Sequence, residues 1–275
     1  MSGQNRPGGG PKPALDNREE IFRLLKGKRP VVFLDYDGTL TPIVDRPEDA
    51  KLSGQVRQTL KELARHCTVA VISGRDLPDV QKLIDLTDIY YAGSHGFDIA
   101  GPAGKRLVHQ SGEEFLPVLD KAEKELRSRI EDKIPGSQVE RKKFSIAVHY
   151  RRVDEGKVGD VEEAVDQVLE KQASLRKTTG KKIFELQPDI DWDKGKALLW
   201  LLNKLGLDRP GVLPLYVGDD VTDEDAFEVL MERGLGLVVQ EGDKPTRARY
   251  RLSNPAEVEQ FLQALMPLCK ENADG

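Results

Sequence analysis

Apolar residues along the chain follow two alternating patterns, which predict two kinds of element. Short continuous apolar runs at 31–34 and 68–72 are bounded by polar residues, and such runs are typical of strands buried on both faces. Longer amphipathic segments separate them, such as a helix predicted over 53–66 with Ser53 as its N-cap. This βαβα alternation predicts a parallel sheet covered by helices, because parallel strands are joined by helical crossovers.

The same reasoning assigns the other elements of this layered part of the chain. Asp16 and Thr222 are predicted N-caps of two of its helices. Further helices are predicted over 16–26, 76–84, 193–205, 222–233 and 255–269, and further strands over 89–92, 213–217, 235–239 and 250–252.

The middle of the chain has a different order of elements. After a hairpin predicted over 97–108 to lead away from the sheet, the pattern becomes αββαββ, which favours an antiparallel sheet with helices on one face. Its helices are predicted over 113–132 and 154–172, and its strands over 137–142, 144–150, 174–177 and 181–186. We therefore predict an α/β core domain over 14–103 and 189–275, an inserted cap domain over 104–188, and a disordered tail over 1–13.

Composition narrows the class of protein. The 275 residues are 38% hydrophobic and 32% charged, with a net charge of -5 and a pI near 5.6, which argues against a nucleic-acid partner. No apolar run approaches the roughly 20 residues that cross a bilayer, so a cytoplasmic protein without a membrane partner is expected. Cys67 and Cys269 match no metal or redox spacing and are interpreted as reduced thiols, with a disulfide between them as the alternative.

Polar clusters follow three of the predicted parallel strands. They lie at 35–39, 73–75 and 218–220, each directly after an apolar run. Carboxyl ends of parallel strands meet at one edge of a sheet, where ligands bind, and gathered carboxylates suit Mg²⁺, which prefers oxygen ligands. Each cluster alone could be an ordinary solvent-facing turn, but their order and context together indicate a site.

These clusters resemble the motifs of the haloacid dehalogenase superfamily. The run Asp35-Tyr36-Asp37-Gly38-Thr39-Leu40 is similar to the first motif, Ser73 to the second, Lys194 to the third and Gly218-Asp219-Asp220 to the fourth. The resemblance implies a Rossmann-like, doubly wound parallel core with a mobile α+β cap. It also implies a phosphatase that works through an aspartyl phosphate.

The resemblance further implies a role for each motif residue. Asp35 would attack phosphorus, and Asp37 would protonate the leaving oxygen and later activate water. Ser73 and Lys194 would hold the phosphoryl oxygens. Mg²⁺ would be bound by Asp35, Asp219 and the main-chain carbonyl of Asp37, with support from Asp220 and Asp223.

Longer stretches resemble one family within that superfamily, the trehalose-6-phosphate phosphatases. The matching stretches lie at 35–43, 92–96, 140–142, 149–151, 184–188, 194–197 and 218–225. The resemblance implies hydrolysis of trehalose 6-phosphate, with the substrate-binding residues Arg75, His95, Glu140, Lys142, Lys181 and Glu185.

Several alternatives stay open from the sequence. The substrate could be sucrose phosphate or mannosylglycerate phosphate, or the protein could be a sugar-phosphate sensor without catalysis. The charged cap residues could form a solvated, salt-bridged sheet face, His95 and His149 could be structural, and Arg75 could meet either the phosphate or the metal-binding acids. We predict a trehalose phosphatase that acts as a monomer.

Overall fold

The structure is a computed structural model that describes residues 10–44, 46–107, 112–131, 133–180 and 182–273. Within these ranges the strands are β1 Lys12–Pro13, β2 Arg29–Leu34, β3 Thr68–Ile72, β4 Tyr90–Gly93, β5 Asp98–Ala100, β6 Arg106–Leu107, β7 Gln138–Arg141, β8 Ile146–His149, β9 Leu175–Gly180, β10 Ile183–Pro188, β11 Val212–Gly218, β12 Leu235–Val239 and β13 Tyr250–Leu252. The α-helices of the same ranges are α1 Arg18–Leu25, α2 Gly54–Ala64, α3 Leu77–Ile84, α4 Leu116–Ile130, α5 Val158–Leu169, α6 Lys194–Lys204, α7 Glu224–Leu230 and α8 Pro255–Ala273.

The larger sheet forms the core domain. Its strand order is β1-β13-β12-β11-β2-β3-β4-β5-β6, with parallel pairing from β1 to β4 and antiparallel pairing beyond β4. One face packs against α1, α2, α3 and α8, and the other against α6 and α7. The predicted doubly wound α/β core is therefore confirmed.

Helix starts show where local polar groups decide the boundary. The Ser53 hydroxyl accepts a hydrogen bond from the Val56 N–H at 3.1 Å, as an N-cap should. The predicted cap at Thr222 is wrong, because Asp220 caps a short 3₁₀ turn and Asp223 bonds back to the Asp220 N–H. The first helix begins after Asn17 rather than at Asp16.

The smaller sheet forms the cap. Its strands are antiparallel in the order β7-β8-β10-β9, and α4 and α5 cover one face of it with a separate apolar core. The αββαββ order is the one predicted. The opposite, uncovered face of this sheet is turned toward the carboxyl ends of the core strands, as the contacts of the site described below show.

Two predictions about the ends of these units differ from the structure. The hairpin of β5 and β6 extends the core sheet instead of leading away from it, because pairing with β4 buries Ile99 and Ala100. The predicted start of the cap at residue 104 therefore falls within the last hairpin of the core sheet. Lys12–Pro13 pairs with β13 and does not belong to a disordered tail, while residues 1–9 lie outside the described residues.

Two remaining predictions concern the membrane and the cysteines. Over the part of the chain that the structure describes, every helix is too short or too polar to span a bilayer. Cys67 and Cys269 are both buried, free thiols of the same apolar cluster, and contact with Cys269 together with burial raises the pKa of Cys67.

Candidate active site

The three polar clusters meet at one edge of the core sheet. Strand β2 lies between β11 and β3, so the residues that follow these strands are neighbours although they are far apart in sequence. They line a cavity of about 820 Å³ between the core and the cap. The predicted residues on its wall are Asp35, Asp37, Ser73, Arg75, His95, Glu140, Lys142, Glu185, Lys194, Asp219 and Asp220. Asp223 is fully buried behind that wall, and Lys181 lies outside the described residues.

The close approach of Asp219 to the first motif depends on Gly38. Gly38 has φ +83°, and a Cβ at that position would lie 2.1 Å from Oδ2 of Asp219. Only glycine allows both this conformation and this contact. The Thr39 hydroxyl donates to Oδ1 of Asp219 at 3.4 Å, which also ties the two motifs together.

A buried lysine joins the nucleophile candidate to the acids around it. Nζ of Lys194 donates to Asp35 Oδ1 at 2.9 Å and to Asp223 Oδ1 at 2.6 Å. Burial lowers the pKa of Lys194, but Asp223 and Asp35 outweigh that effect and raise it above its ordinary value. Lys194 is therefore charged and can face both a carboxylate and a phosphoryl oxygen.

Asp223 organises the fourth motif. Its Oδ1 accepts from Tyr216 as well as Lys194, and its Oδ2 accepts from the N–H groups of Asp219 and Asp220 at 2.8 and 2.9 Å. With both oxygens engaged, Asp223 fixes the loop that carries Asp219. Its predicted role, support of the metal or its waters, stays a prediction.

The acids fit a divalent cation. One oxygen each of Asp35, Asp219 and Asp223 lies within 4.8 Å of the others, with Lys194 as the cation in contact with Asp35 and Asp223. Burial raises the pKa of Asp35 well above its ordinary value, and Asp223 and Asp219 raise it further against the opposing effect of Lys194. A second positive charge beside Asp35 would favour the carboxylate form that a nucleophile requires.

Arg75 contacts Asp37 through a two-pronged ion pair. Its Nε and Nη2 donate to the two oxygens of Asp37 at 2.7 and 2.8 Å, and its other bonds go to Asp79 and the Pro47 carbonyl. The guanidinium also stacks over Tyr36, 5.3 Å from the ring centre. In this arrangement Arg75 binds the Asp37 carboxylate. The predicted effect of Arg75 on the substrate would therefore be exerted through Asp37.

The loop after β4 brings His95 to the same cavity. Ser94 and His95 both have positive φ, at 48° and 57°, a backbone conformation that residues other than glycine rarely adopt. The His95 N–H donates to the Ser73 carbonyl at 2.8 Å, and its Nε2 lies 3.5 Å from Glu185 Oε2 on the cap. Strain of this kind clusters at functional sites, so the position of His95 supports its predicted role at the cavity.

The cap contributes a buried group of paired charges. Nζ of Lys142 donates to Glu185 Oε1 at 3.1 Å and to the Gly74 carbonyl of the core at 3.2 Å, and the Ser145 hydroxyl donates to Glu185 at 2.6 Å. The Lys142 and Glu185 side chains are only 14% and 11% exposed. The alternative of a solvated sheet face therefore does not hold for this pair.

His149 and its neighbours also line the cavity, although the sequence favoured a structural role for His149. Its Nε2 lies 2.7 Å from Glu140 Oε2, and this hydrogen bond is the main reason why the pKa of Glu140 is lowered. The other cavity residues that were not predicted include Gln138, Arg151, Thr178 and Lys182. The alternation of β8 could have identified His149, because it shares a face with Ser145, opposite the apolar residues.

Comparison with known proteins agrees with this geometry. The model of the trehalose-phosphatase family matches residues 33–256, which include the three strand ends, Lys194 and the whole cap. The chain belongs to the trehalose-phosphatase family. Among relatives of this family, the probable trehalose-phosphate phosphatase H of Arabidopsis thaliana is 47% identical over 267 residues, covering 92% of this chain and 76% of that protein. Trehalose 6-phosphate phosphatase RA3 of Zea mays is 45% identical over 267 residues, covering 92% and 74%.

Solved structures of trehalose phosphatases have the same fold. The C-terminal domain of the trehalose-6-phosphate phosphatase of C. albicans matches with a TM-score of 0.82 and 26% identity, covering 94% of this chain and 99% of that one. The predicted fold class, family and class of enzyme, a phosphoric monoester hydrolase, are therefore confirmed. The roles of individual residues remain predictions.

Proposed function

We propose that the protein hydrolyses trehalose 6-phosphate to trehalose and inorganic phosphate. The observation that carries this proposal is the placement of Asp35 at the end of β2, beside Lys194 and Asp219 and open to the cavity, in a chain of the trehalose-phosphatase family. Phosphate monoesters hydrolyse very slowly without a catalyst, so division of the reaction into two steps is a large advantage.

In the first step, a carboxylate oxygen of Asp35 attacks phosphorus. The new bond joins Asp35 to phosphorus as the bond between phosphorus and the sugar oxygen breaks. Asp37 gives its proton to that leaving oxygen, so trehalose departs as the neutral alcohol. An aspartate whose two oxygens both accept from an arginine is a carboxylate, so Asp37 must leave its pair with Arg75 and take up a proton before this step. Lys194 and Ser73 face the phosphoryl oxygens.

In the second step, water attacks the aspartyl phosphate. Asp37, now a carboxylate, accepts a proton from the water, the Asp35–phosphorus bond breaks, and inorganic phosphate leaves with Asp35 restored. Asp223 keeps Lys194 and the Asp219 loop in place through both steps.

Mg²⁺ is the proposed cofactor, held by Asp35, Asp219 and the main-chain carbonyl of Asp37. When bound, it would offset the negative charge that gathers around the phosphoryl group. Three carboxylates whose oxygens lie within 4.8 Å of one another support that assignment, because Mg²⁺ prefers oxygen ligands.

The cap is proposed to select the sugar. Glu140, Lys142, Glu185 and His149 place donors and acceptors on the wall opposite Asp35, which suits a disaccharide with many hydroxyl groups. Lys181 also remains a predicted substrate-binding residue. The monomeric state and cytoplasmic location are also proposals, which size-exclusion chromatography and fractionation of the source cells would test.

A panel of phosphate-release assays tests the proposed function. Trehalose 6-phosphate, sucrose 6-phosphate, mannosylglycerate phosphate and glucose 6-phosphate are compared with Mg²⁺, and after removal of metal with a chelator. We expect trehalose 6-phosphate to have the highest kcat/KM and the activity to need added Mg²⁺. Equal rates on all four substrates would overturn the sugar assignment, and binding of sugar phosphate without release of phosphate would favour a sensor.

A further inference from the structure

Asp76 occupies the N-cap position of α3, yet its side chain does not cap that helix. An aspartate at an N-cap usually accepts a hydrogen bond from the second or third N–H of its helix. Asp76 has no such bond, although its backbone is extended as an N-cap requires. Its carboxylate instead contacts two other parts of the molecule, which indicates a role other than helix stability.

The first contact fixes the turn that carries His95. Oδ1 of Asp76 accepts from the Ser94 hydroxyl at 2.7 Å, and the Ser94 N–H donates to the Arg75 carbonyl at 2.7 Å. Ser94 and His95 are both in the left-handed region, so external bonds are needed to hold them there. Asp76 thereby keeps His95 within 3.5 Å of Glu185 on the cap.

The second contact fixes the cap itself. Oδ2 of Asp76 accepts from the backbone N–H of Lys143 at 2.7 Å, in the loop between β7 and β8. The Lys143 ammonium donates to the buried Asp98 of β5 at 2.7 Å and lies 4.8 Å from the centre of the Phe144 ring. The same loop carries Lys142, whose ammonium joins Glu185 to the Gly74 carbonyl.

We propose that Asp76 is a positioning residue that sets the place of Glu185 and Lys142 over the catalytic edge of the core. It does so from both sides, through Ser94 and His95 in the core and through Lys143 in the cap. The inference rests on the proposed function only in requiring a sugar phosphate as substrate. Loss of Asp76 should therefore impair reactions that need the sugar-binding cap and spare the phosphoryl chemistry.

The test compares Asp76→Asn on two substrates. One is the sugar phosphate that ranks first in the panel above, and the other is para-nitrophenyl phosphate, which has no sugar to be placed. We expect kcat/KM for the sugar phosphate to fall about 10- to 100-fold, because a small misplacement of reacting groups causes losses of this size. The kcat/KM for para-nitrophenyl phosphate should change less than about 3-fold. A fall of equal size on both substrates, or on neither, would overturn the proposal.

A double-mutant comparison separates positioning from direct contact with substrate. Ser94→Ala alone should lower the sugar-phosphate kcat/KM by about 3- to 10-fold, the effect of one hydrogen bond. In an Asp76→Ala background, in which the bond to Ser94 is already lost, the same change should add almost nothing. Fully multiplicative effects would mean that Asp76 does not act through Ser94 and would contradict the proposal.

Lys143→Met gives an independent test if the Asp76→Asn variant does not fold, as judged by loss of a cooperative unfolding transition. It keeps the backbone N–H that bonds to Asp76 but removes the ion pair with Asp98 that holds the same cap loop to the core. If the place of this loop sets the sugar-binding residues, we expect the same substrate-dependent loss, about 3- to 10-fold. Lys177→Met is the matched control, because Lys177 also lies over a phenylalanine ring, at 5.4 Å, and pairs with two acids of the cap, Glu162 and Asp166. Lys177→Met should stay within about 2-fold of the wild type on both substrates. Equal effects of the two lysine changes would overturn the proposal.

Discussion

The core half and the cap half of the cavity differ in how their charges are balanced. At the core edge one lysine, Lys194, bonds to two acids, Asp35 and Asp223, and a carboxylate oxygen of Asp219 lies within 4.8 Å of theirs, so the cluster could hold a metal ion. On the cap, each acid has a partner of its own, since Glu185 pairs with Lys142 and Glu140 with His149. The core is thus suited to a metal ion and a phosphoryl group, and the cap to neutral hydroxyl groups.

The largest expected effect tests the core half. Asp35→Asn keeps the shape of the side chain but removes the nucleophilic oxygen anion, so turnover should fall by at least about 10⁴-fold. The loss should be the same for the sugar phosphate and for para-nitrophenyl phosphate in phosphate-release assays. Asp208→Asn is the control, because Asp208 is an exposed partner of Arg233 away from the cavity. Substantial residual activity of a folded Asp35→Asn variant would show that another residue attacks phosphorus.

A smaller and more selective effect is expected in the cap half. Glu185→Gln removes a charged acceptor that faces the cavity, so kcat/KM for the sugar phosphate should fall about 100-fold, the effect of about 2.7 kcal/mol. Activity on para-nitrophenyl phosphate should change little. Glu162→Gln, a change on the exposed side of the cap, serves as the control. If both substrates lost activity equally, the division of labour between core and cap would be wrong.

A further expected effect concerns the stability of the protein and its dependence on pH rather than its activity. Burial raises the pKa of Glu185, but Lys142, His95 and Ser145 outweigh it and hold that pKa below its ordinary value of 4.5. Because the folded-state pKa is depressed, the stabilising contribution is complete above pH 4.5 and is lost as the pH falls below it. At pH 7, Glu185→Gln should lower the free energy of unfolding by about 3 kcal/mol, since Lys142 is left buried and unpaired.

Urea unfolding of wild type and Glu185→Gln, followed from pH 7 to pH 3, measures this contribution. The difference between the two proteins should be constant near neutrality and should shrink as the pH falls below 4.5. A difference that stayed constant down to pH 3 would contradict the assigned pKa shift.

The sequence predicts well which strand ends meet at the cavity, because its signals are local. Buried strands are visible as apolar runs, and the carboxyl ends of neighbouring parallel strands must meet, so Asp35, Ser73 and Asp219 could be placed together before the structure was known. The β5–β6 hairpin was misplaced because strands of three and two residues carry too little periodicity to show which sheet they join.

Side-chain partners across the chain could not be predicted in the same way. Asp76 begins a helix predicted over 76–84, but the partners of its side chain, Ser94 and Lys143, are 18 and 67 residues away. Arg75 likewise finds Asp37 at a distance of 38 residues. Thr222 was preferred as a cap because the sequence alone does not show which of several adjacent polar residues bonds the helix start.

The insertion of the cap between β6 and α6 has a consequence for how the protein folds. The residues that form the cap sheet and its two helices are contiguous in sequence. Strands β2 and β11 of the core, by contrast, pair with each other although the whole cap lies between them in sequence. Closure of such a long loop is slow, because chain entropy opposes it until many contacts form together. We expect the cap to gain structure early during refolding and enzymatic activity to return only in the slowest phase, when the two halves of the core join.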